Sequence, residues 1–407
     1  MPPEPIPPEL IDTVLNYVDD RRTLKACTVV CRSFCALAQK RLFSSFTLLP
    51  PSLPHVAPPP QDLATFLVNS PHIPFHVRRL HIVCPHYENW VGAILQCLAL
   101  FTRLTSLLID CRYLSKDTHS WESFYPDTVT ALRSIAALPS MRTLLLYAVD
   151  LDVALQLFPP RVRRLVLYRP CFDVNIGLAL DAQYSGREDS IPKLELDSLE
   201  LQLDSLHEPA ADLFFARFID VARLRHLHVA YPESEYGECP PQVHAVHHTV
   251  DLQHLHITAR TFDVQNDTRV LDISHLQKLH VVKLTVPVDA DIVFDSVYSV
   301  VETVLRCIVI PGPVRHVIID LALSEFSGHS ELPLIRSLAH FAEQLAPLLH
   351  SWVDQHFMPT VSIWVHFQNG YVGNIGGPVR KAVLDEVGDL GIDVNVEAFG
   401  DARDALK

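Results

Sequence analysis

Two histidine pairs stand at matched places in this chain. His226 and His228 lie in LRHLHV, and His254 and His256 lie in LQHLHI, 28 residues further on. On an extended chain alternate side chains point to one face, so each pair presents two imidazoles to the same side. The six-residue pattern, aliphatic at its first, fourth and sixth places, also begins at Val77, Leu104, Met141, Val162, Leu196, Val281 and Val314. Its third place reads Arg79, Ser106, Thr143, Arg164, Ser198, His226, His254, Lys283 and His316, polar in every copy. Adjacent parallel strands run about 4.8 Å apart. At that spacing Arg79, Arg164, His226, His228, His254, His256, Lys283 and His316 line up as a basic stripe, opposed at these outward places by Glu200 alone. Arginine and protonated histidine make charge-assisted bonds to carboxylate and phosphate, so such a stripe suits an acidic or phosphorylated peptide. The plainer account is a solvated sheet face, because charged side chains are mostly exposed. Zinc is the other chemistry histidines offer, and no ligand motif supports it.

Other reactive patterns are weaker. Gly370, Gly373, Gly376 and Gly377 precede a helical stretch, but the loop lacks the Lys-Ser/Thr ending of a phosphate-binding P-loop and the spacing of a dinucleotide fingerprint, so an ordinary turn is expected. Cys27, Cys31 and Cys35 recur every fourth residue without a histidine or a C-x-x-C pair to complete a metal set, which reads as small buried side chains. There is no G-x-S-x-G and no H-E-x-x-H. The expectation is a protein that is not an enzyme, with no metal and no cofactor. An enzyme with an unrecognised site near the C-terminal end is the more distant alternative.

Composition narrows the partners. The chain has 407 residues, 48% of them hydrophobic, and 33 basic against 47 acidic groups give a net charge of −14. A nucleic-acid binder needs a basic surface strong enough to displace counterions, so nucleic acid is not expected as a partner. No apolar run reaches membrane-spanning length and the start, MPPEPIPPEL, is not a targeting signal. The nine cysteines are odd in number and scattered, as reduced thiols would be, and the expected location is cytoplasmic or nuclear.

The elements that must carry the histidines follow from the pattern itself. Fourth and sixth places turned inward force the third and fifth outward, the alternation of a parallel sheet exposed on one face. Between copies lie helical spacings: Leu213, Phe214, Phe218 and Val221 before Leu224, and Val293, Val297, Val300, Val301, Val304 and Leu305 before Val314. One strand and one return helix per period of about thirty residues is solenoid arithmetic. The copies stop after residue 322. Ser330 and Pro333 open a long helix with a break or kink expected at Pro347, then a strand through Val361, Ile363 and Val365, a helix from Val379 to Val387 and a last strand from Ile392 to Val396. This stretch reads as a closing cap.

The N-terminal residues read as three short helices. Ile11, Val14, Leu15 and Val18 share a stripe after Pro7-Pro8; Thr23 is positioned to cap a second helix through Val30 carrying Leu24, Cys27 and Cys31; Phe34, Leu37, Ala38 and Leu42 share a face of the third. The runs Ile6, Pro7, Glu9, Leu10, Ile11 and Val30, Cys31, Arg32, Phe34 resemble the two separated motifs of an F-box, with Ile6 at the usual Leu and Phe34 at the usual Trp. The repetitive body resembles divergent leucine-rich repeats, without the Asn or Cys that usually bonds the turn backbone. The implied layout is an α/β chain with an F-box at 1–48, a proline-rich linker at 49–62, a leucine-rich-repeat-like solenoid with a parallel sheet at 63–322 and a C-terminal α/β cap at 323–407. The resemblance implies a substrate-recruiting adaptor of an SCF-type ubiquitin ligase. It docks on a Skp-family adaptor, and through it a cullin, by Pro7, Leu10, Ile11, Leu15, Val18, Leu24 and Phe34. The repeats would take the protein target. No ring of Cys and His is present to recruit a conjugating enzyme directly. The main alternative is a repeat scaffold that never meets the ligase.

Overall fold

A computed structural model describes residues 6–18, 20–49, 63–83, 97–111, 126–149, 161–168, 193–202, 218–230, 246, 249–259, 273–288, 294–308, 312–323, 331–354, 359–367 and 376–398. The expected linker after Leu49, Leu213 and Phe214 of one expected helix, Val293 of another, and Gly370 and Gly373 of the glycine loop lie outside them. The protein is α/β with a large parallel sheet, and the chain divides into two compact units, Met1–Asp173 and Val174–Lys407.

The first unit opens with α1 (Pro8–Asn16), α2 (Arg21–Cys27) and α3 (Arg32–Leu42). Pro8 sits in the first turn of α1, where its missing N–H costs nothing. Asp20, not Thr23, caps α2: its carboxylate accepts from the Arg22 and Thr23 N–H groups at 3.2 and 2.7 Å, because a cap must precede the helix it satisfies. The helix ends at Cys27, and Thr28–Val30 form a turn. Ser45–Leu48, expected to close the helical module, is instead the first strand, β1. Parallel pairing then runs in chain order through β2 (Arg79–Val83), β3 (Ser106–Asp110), β4 (Thr143–Tyr147) and β5 (Arg164–Tyr168). Short helices α4 (Leu63–Asn69) and α5 (His72–His76) lead into β2, and α6 (Pro126–Ala136) into β4. The Ser44 carbonyl accepts the Arg78 and Arg79 N–H groups at 2.8 and 3.0 Å, tying the end of the helical module to the second strand.

The second unit repeats the arrangement. A short pair, β6 (Leu194–Glu195) with β8 (Ile219–Asp220), flanks a parallel sheet of β7 (Ser198–Gln202), β9 (His226–Ala230), β10 (His254–Thr258), β11 (Val281–Val288), β12 (His316–Leu323), β13 (Thr360–Phe367) and β14 (Asp393–Ala398). Helices α7 (Phe294–Arg306), α8 (Glu331–Asp354) and α9 (Gly376–Val387) pack successively on one another. The strands expected in a separate cap therefore continue this sheet. Helix α8 runs through Pro347 without a break, with Leu338, Phe341, Ala342, Leu345, Leu349 and Trp352 all buried along one stripe. Val221, expected on a helix, lies in a 3-10 turn capped by Asp220.

The inward places of the pattern are the core: Leu80 and Ile82, Leu107 and Ile109, Leu144 and Leu146, Leu165 and Leu167, then Leu199 and Leu201, Leu227 and Val229, Leu255 and Ile257 are all buried. One copy was out of frame. His254 pairs with Val281, and Leu279 is buried as Leu252 is, so the copy read from Val281 begins at Leu279. Its third place is then Val281, an apolar residue, and Lys283 takes the fifth. Backbone bonding agrees: the Gln253 carbonyl accepts from His280 and Val281, and the His280 carbonyl from Arg315 and His316.

Alternation gives a direct test on adjacent residues. Leu80→Ala is expected to destabilise the protein by about 2–5 kcal/mol, and Arg79→Ala to leave stability within about 0.5 kcal/mol, both measured by denaturant unfolding.

Candidate functional site

Parallel register stacks each outward side chain on its equivalent, and in the second unit this builds successive rows. The first holds Ser198, His226, His254, Val281, His316 and Thr360; the second holds Glu200, His228, His256, Lys283, Ile318 and Ser362. The imidazoles stack face to face, His226 on His254 with centroids 4.6 Å apart and His228 on His256 at 3.8 Å. His316 Nε2 lies 3.0 Å from Ser362 Oγ. The sheet thus brings the four histidines together as expected, with Lys283 beside His256 rather than His254.

The face is not a free basic stripe. His228 Nδ1 lies 3.2 Å from Glu200 Oε1 and its Nε2 lies 3.0 Å from Thr258 Oγ1. Lys283 Nζ is 2.8 Å from Asp320 Oδ2, and His366 Nδ1 is 2.7 Å from Asp320 Oδ1. Asp320 and His366 are each 4% exposed, although both project from the outward side of their strands. Burial pushes the Asp320 carboxyl up, but the His366 contact and the Lys283 charge outweigh it and hold the group at about 2. An ionised carboxylate only accepts, so the Thr285 hydroxyl donates to Asp320 Oδ2 at 3.0 Å. That leaves Thr285 Oγ1 to accept from His256 Nε2 at 2.9 Å, which fixes the His256 tautomer with the proton on Nε2. Burial, then the charges of His228 and Lys283, push His256 down to about 2, so it is neutral at pH 7. His254 is lowered by burial, then by His226 and His280.

In the first unit Arg79 and Arg164 are exposed at third places. They are not neighbours: β3 and β4, with Ser106 and Thr143, stand between them, a separation of about 14 Å. On this sheet His81 Nε2 lies 3.6 Å from the buried Asp110.

Asp320, His366, Thr258, Thr285 and Ser362 were not singled out from sequence. Asp320 follows immediately on the six-residue window VRHVII, and the alternation of Val361, Ile363 and Val365 already turns Trp364 and His366 to the opposite face. Extending each window by two residues would have found both. Among the described residues no group of three or more His, Cys, Asp or Glu is placed to hold a metal ion, and no helix is long and apolar enough to cross a membrane.

The helical module carries the other candidate surface. Ile11, Leu15, Leu24 and Ala38 form its buried core, with Val18, Cys27, Phe34, Leu37 and Leu42 packed against it. Ile11, Leu15 and Leu24, expected to meet a partner, are thus enclosed within the module, and Val18 and Phe34 are partly so. Pro7 and Leu10 are exposed. Beside Leu10 (57% exposed) stand Ile6, Val14 and Tyr17 (84%), one apolar stripe along α1, and Val29 and Val30 are exposed in the turn after α2. Of these, Ile6 and Val30 belong to the runs that resemble the F-box motifs and Val14 to the expected helical stripe, none of them assigned to the partner surface, and Tyr17 and Val29 were not singled out. No protein-family model matches the chain, and no curated protein matches it.

Two measurements probe the buried network. Asp320→Ala strands Lys283 and His366, and is expected to cost about 3–5 kcal/mol in denaturant unfolding. The second is pH dependence. Below the ordinary histidine value of 6.5 the unfolded chain protonates His256 and the folded protein does not, so stability falls as pH drops from 6.5. The loss from this residue is about 2 kcal/mol by pH 5, and His256→Asn should flatten that slope. Asp320 adds its own loss only as pH falls below 3.8 and through about 2.

Proposed function

We propose that this protein is a substrate-recruiting adaptor of an SCF-type cullin-RING ubiquitin ligase, docked through its N-terminal helices on a Skp-family adaptor. One observation carries this reading: a helical module whose core is already closed still displays Leu10 and Val14 on α1, with Ile6 and Tyr17 exposed at its two ends and Val29 and Val30 exposed in the turn after α2. Apolar side chains gathered on one exposed face favour a protein partner, because covering them removes that surface from water. The sequence runs that resemble an F-box lie in this same module. The parallel sheet, with one strand per period and return helices in the described stretches, serves in this reading as a leucine-rich-repeat-like solenoid that presents the target. The protein does no chemistry itself.

The target's chemistry is revised by the second-unit geometry. Glu200 and Asp320 meet His228 and Lys283 within the protein, which removes the reason to expect an acidic or phosphorylated ligand on those residues. Reversing Lys283 would report on folding as much as on binding.

The test is co-purification of the full chain with a Skp-family adaptor, using a Leu10→Asp, Val14→Asp double variant. Both side chains are exposed, so the variant should melt as the native protein does and lose the adaptor. Ile11→Asp should instead unfold the module. Failure of the intact protein to capture the adaptor, or capture undiminished in the double variant, removes the ligase role and leaves a ligase-independent scaffold.

A further inference from the structure

The flank of α1 turned away from its apolar stripe lines a cavity of about 370 Å³ in the first unit. Asp12 and Asn16 lie about half a turn round the helix from Leu10 and Val14. With them the cavity gathers Lys40 and Arg41 from the end of α3, Phe75 and His76 from α5, Arg78 ahead of β2 and Arg103 ahead of β3. Among these lining residues the permanent cations Lys40, Arg41, Arg78 and Arg103 face one carboxylate, Asp12, in a chain whose net charge is −14.

Arg78 and Arg103 are positioned by groups that carry no net charge. Arg41 donates to the Leu15 carbonyl, near the C-terminal end of α1, and to Asn16 Oδ1 at 3.3 Å. Arg78 donates to the Arg103 carbonyl at 3.0 Å, and the Arg103 guanidinium sits 3.5 Å over the Phe75 ring. Such contacts orient a guanidinium without cancelling its charge. Lys40 is 3.7 Å from Asp12, a pair whose side chains are 55% and 37% exposed and therefore weakly coupled. The excess positive field is felt at His76, which is lowered by burial first and then by His72, Arg78, Lys40 and Arg103.

Held cations around an open, roomy cavity make an anion receptor. The geometry points to a binding site for a small molecule bearing more than one phosphate group, seated where the helical module meets the first strands and gripped by Lys40, Arg78 and Arg103. Arginine forks match phosphate oxygens in pairs, and the volume is that of a small-ligand pocket rather than a single-ion site. This site is independent of the exposed α1 stripe, so it stands or falls apart from the ligase reading.

Inorganic tripolyphosphate is the probe, titrated calorimetrically into the full chain at low salt. The expected result is saturable one-to-one binding that Arg103→Gln or Lys40→Gln weakens about tenfold or more. Lys278→Gln, in the second unit, should leave it unchanged. Arg103 and Lys40 are both exposed, so a matching melting curve shows that each variant is folded. Absence of saturable heat, or affinity unaltered in both cavity variants, overturns the proposal. So does a phosphoserine peptide that binds more tightly than tripolyphosphate, because the ligand would then be a phosphorylated protein.

Discussion

Parallel pairing in register places every side chain on its equivalent in the next strand, at a fixed spacing near 4.8 Å. On the inner face this is favourable: Leu199, Leu227 and Leu255, then Leu201, Val229 and Ile257, form continuous buried rows. On the outer face the same geometry forces like upon like, and rows of ionisable groups would repel. The second unit resolves the conflict chemically. Its imidazoles stack face to face, with His256 and His254 lowered, and its cation at Lys283 is answered by a carboxylate one strand away.

Asp320 is where that resolution concentrates. A buried carboxylate is costly to desolvate and persists only when its acceptor sites are filled. Here Lys283, Thr285 and His366 converge on its two oxygens. The directed chain from His256 through Thr285 to Asp320 links three strands, β10, β11 and β12. A face that looks basic in a residue count is therefore answered by carboxylates in space around Glu200 and Asp320.

The helical module is small, and its residues divide between two duties. Ile11, Leu15, Leu24 and Ala38 close a core, and the stripe through Ile6, Leu10, Val14 and Tyr17 remains outside. Its other flank faces the cluster of cations beside the first strands. Net charge conceals this arrangement, since an acidic total is compatible with a local basic cavity when the carboxylates lie elsewhere.

The sequence by itself determined the alternation that makes strands, the helical spacing of α1, α3, α7 and α9, and the parallel α/β class, because each depends on a period of two or of about 3.6 residues within one segment. It did not determine frame or partnership. An aliphatic run such as LHVVKLTV satisfies the pattern from Leu279 or from Val281, and only pairing of His254 with Val281 decides between them. Likewise Leu10 and Ile11 are adjacent apolar residues, and only the packing of three helices sends one outward and the other in. The pairing of Lys283 with Asp320, and the meeting of Arg78 with Arg103, join residues separated along the chain by loops whose course no local pattern encodes. Tertiary structure alone decided whether each charge stands free or answered.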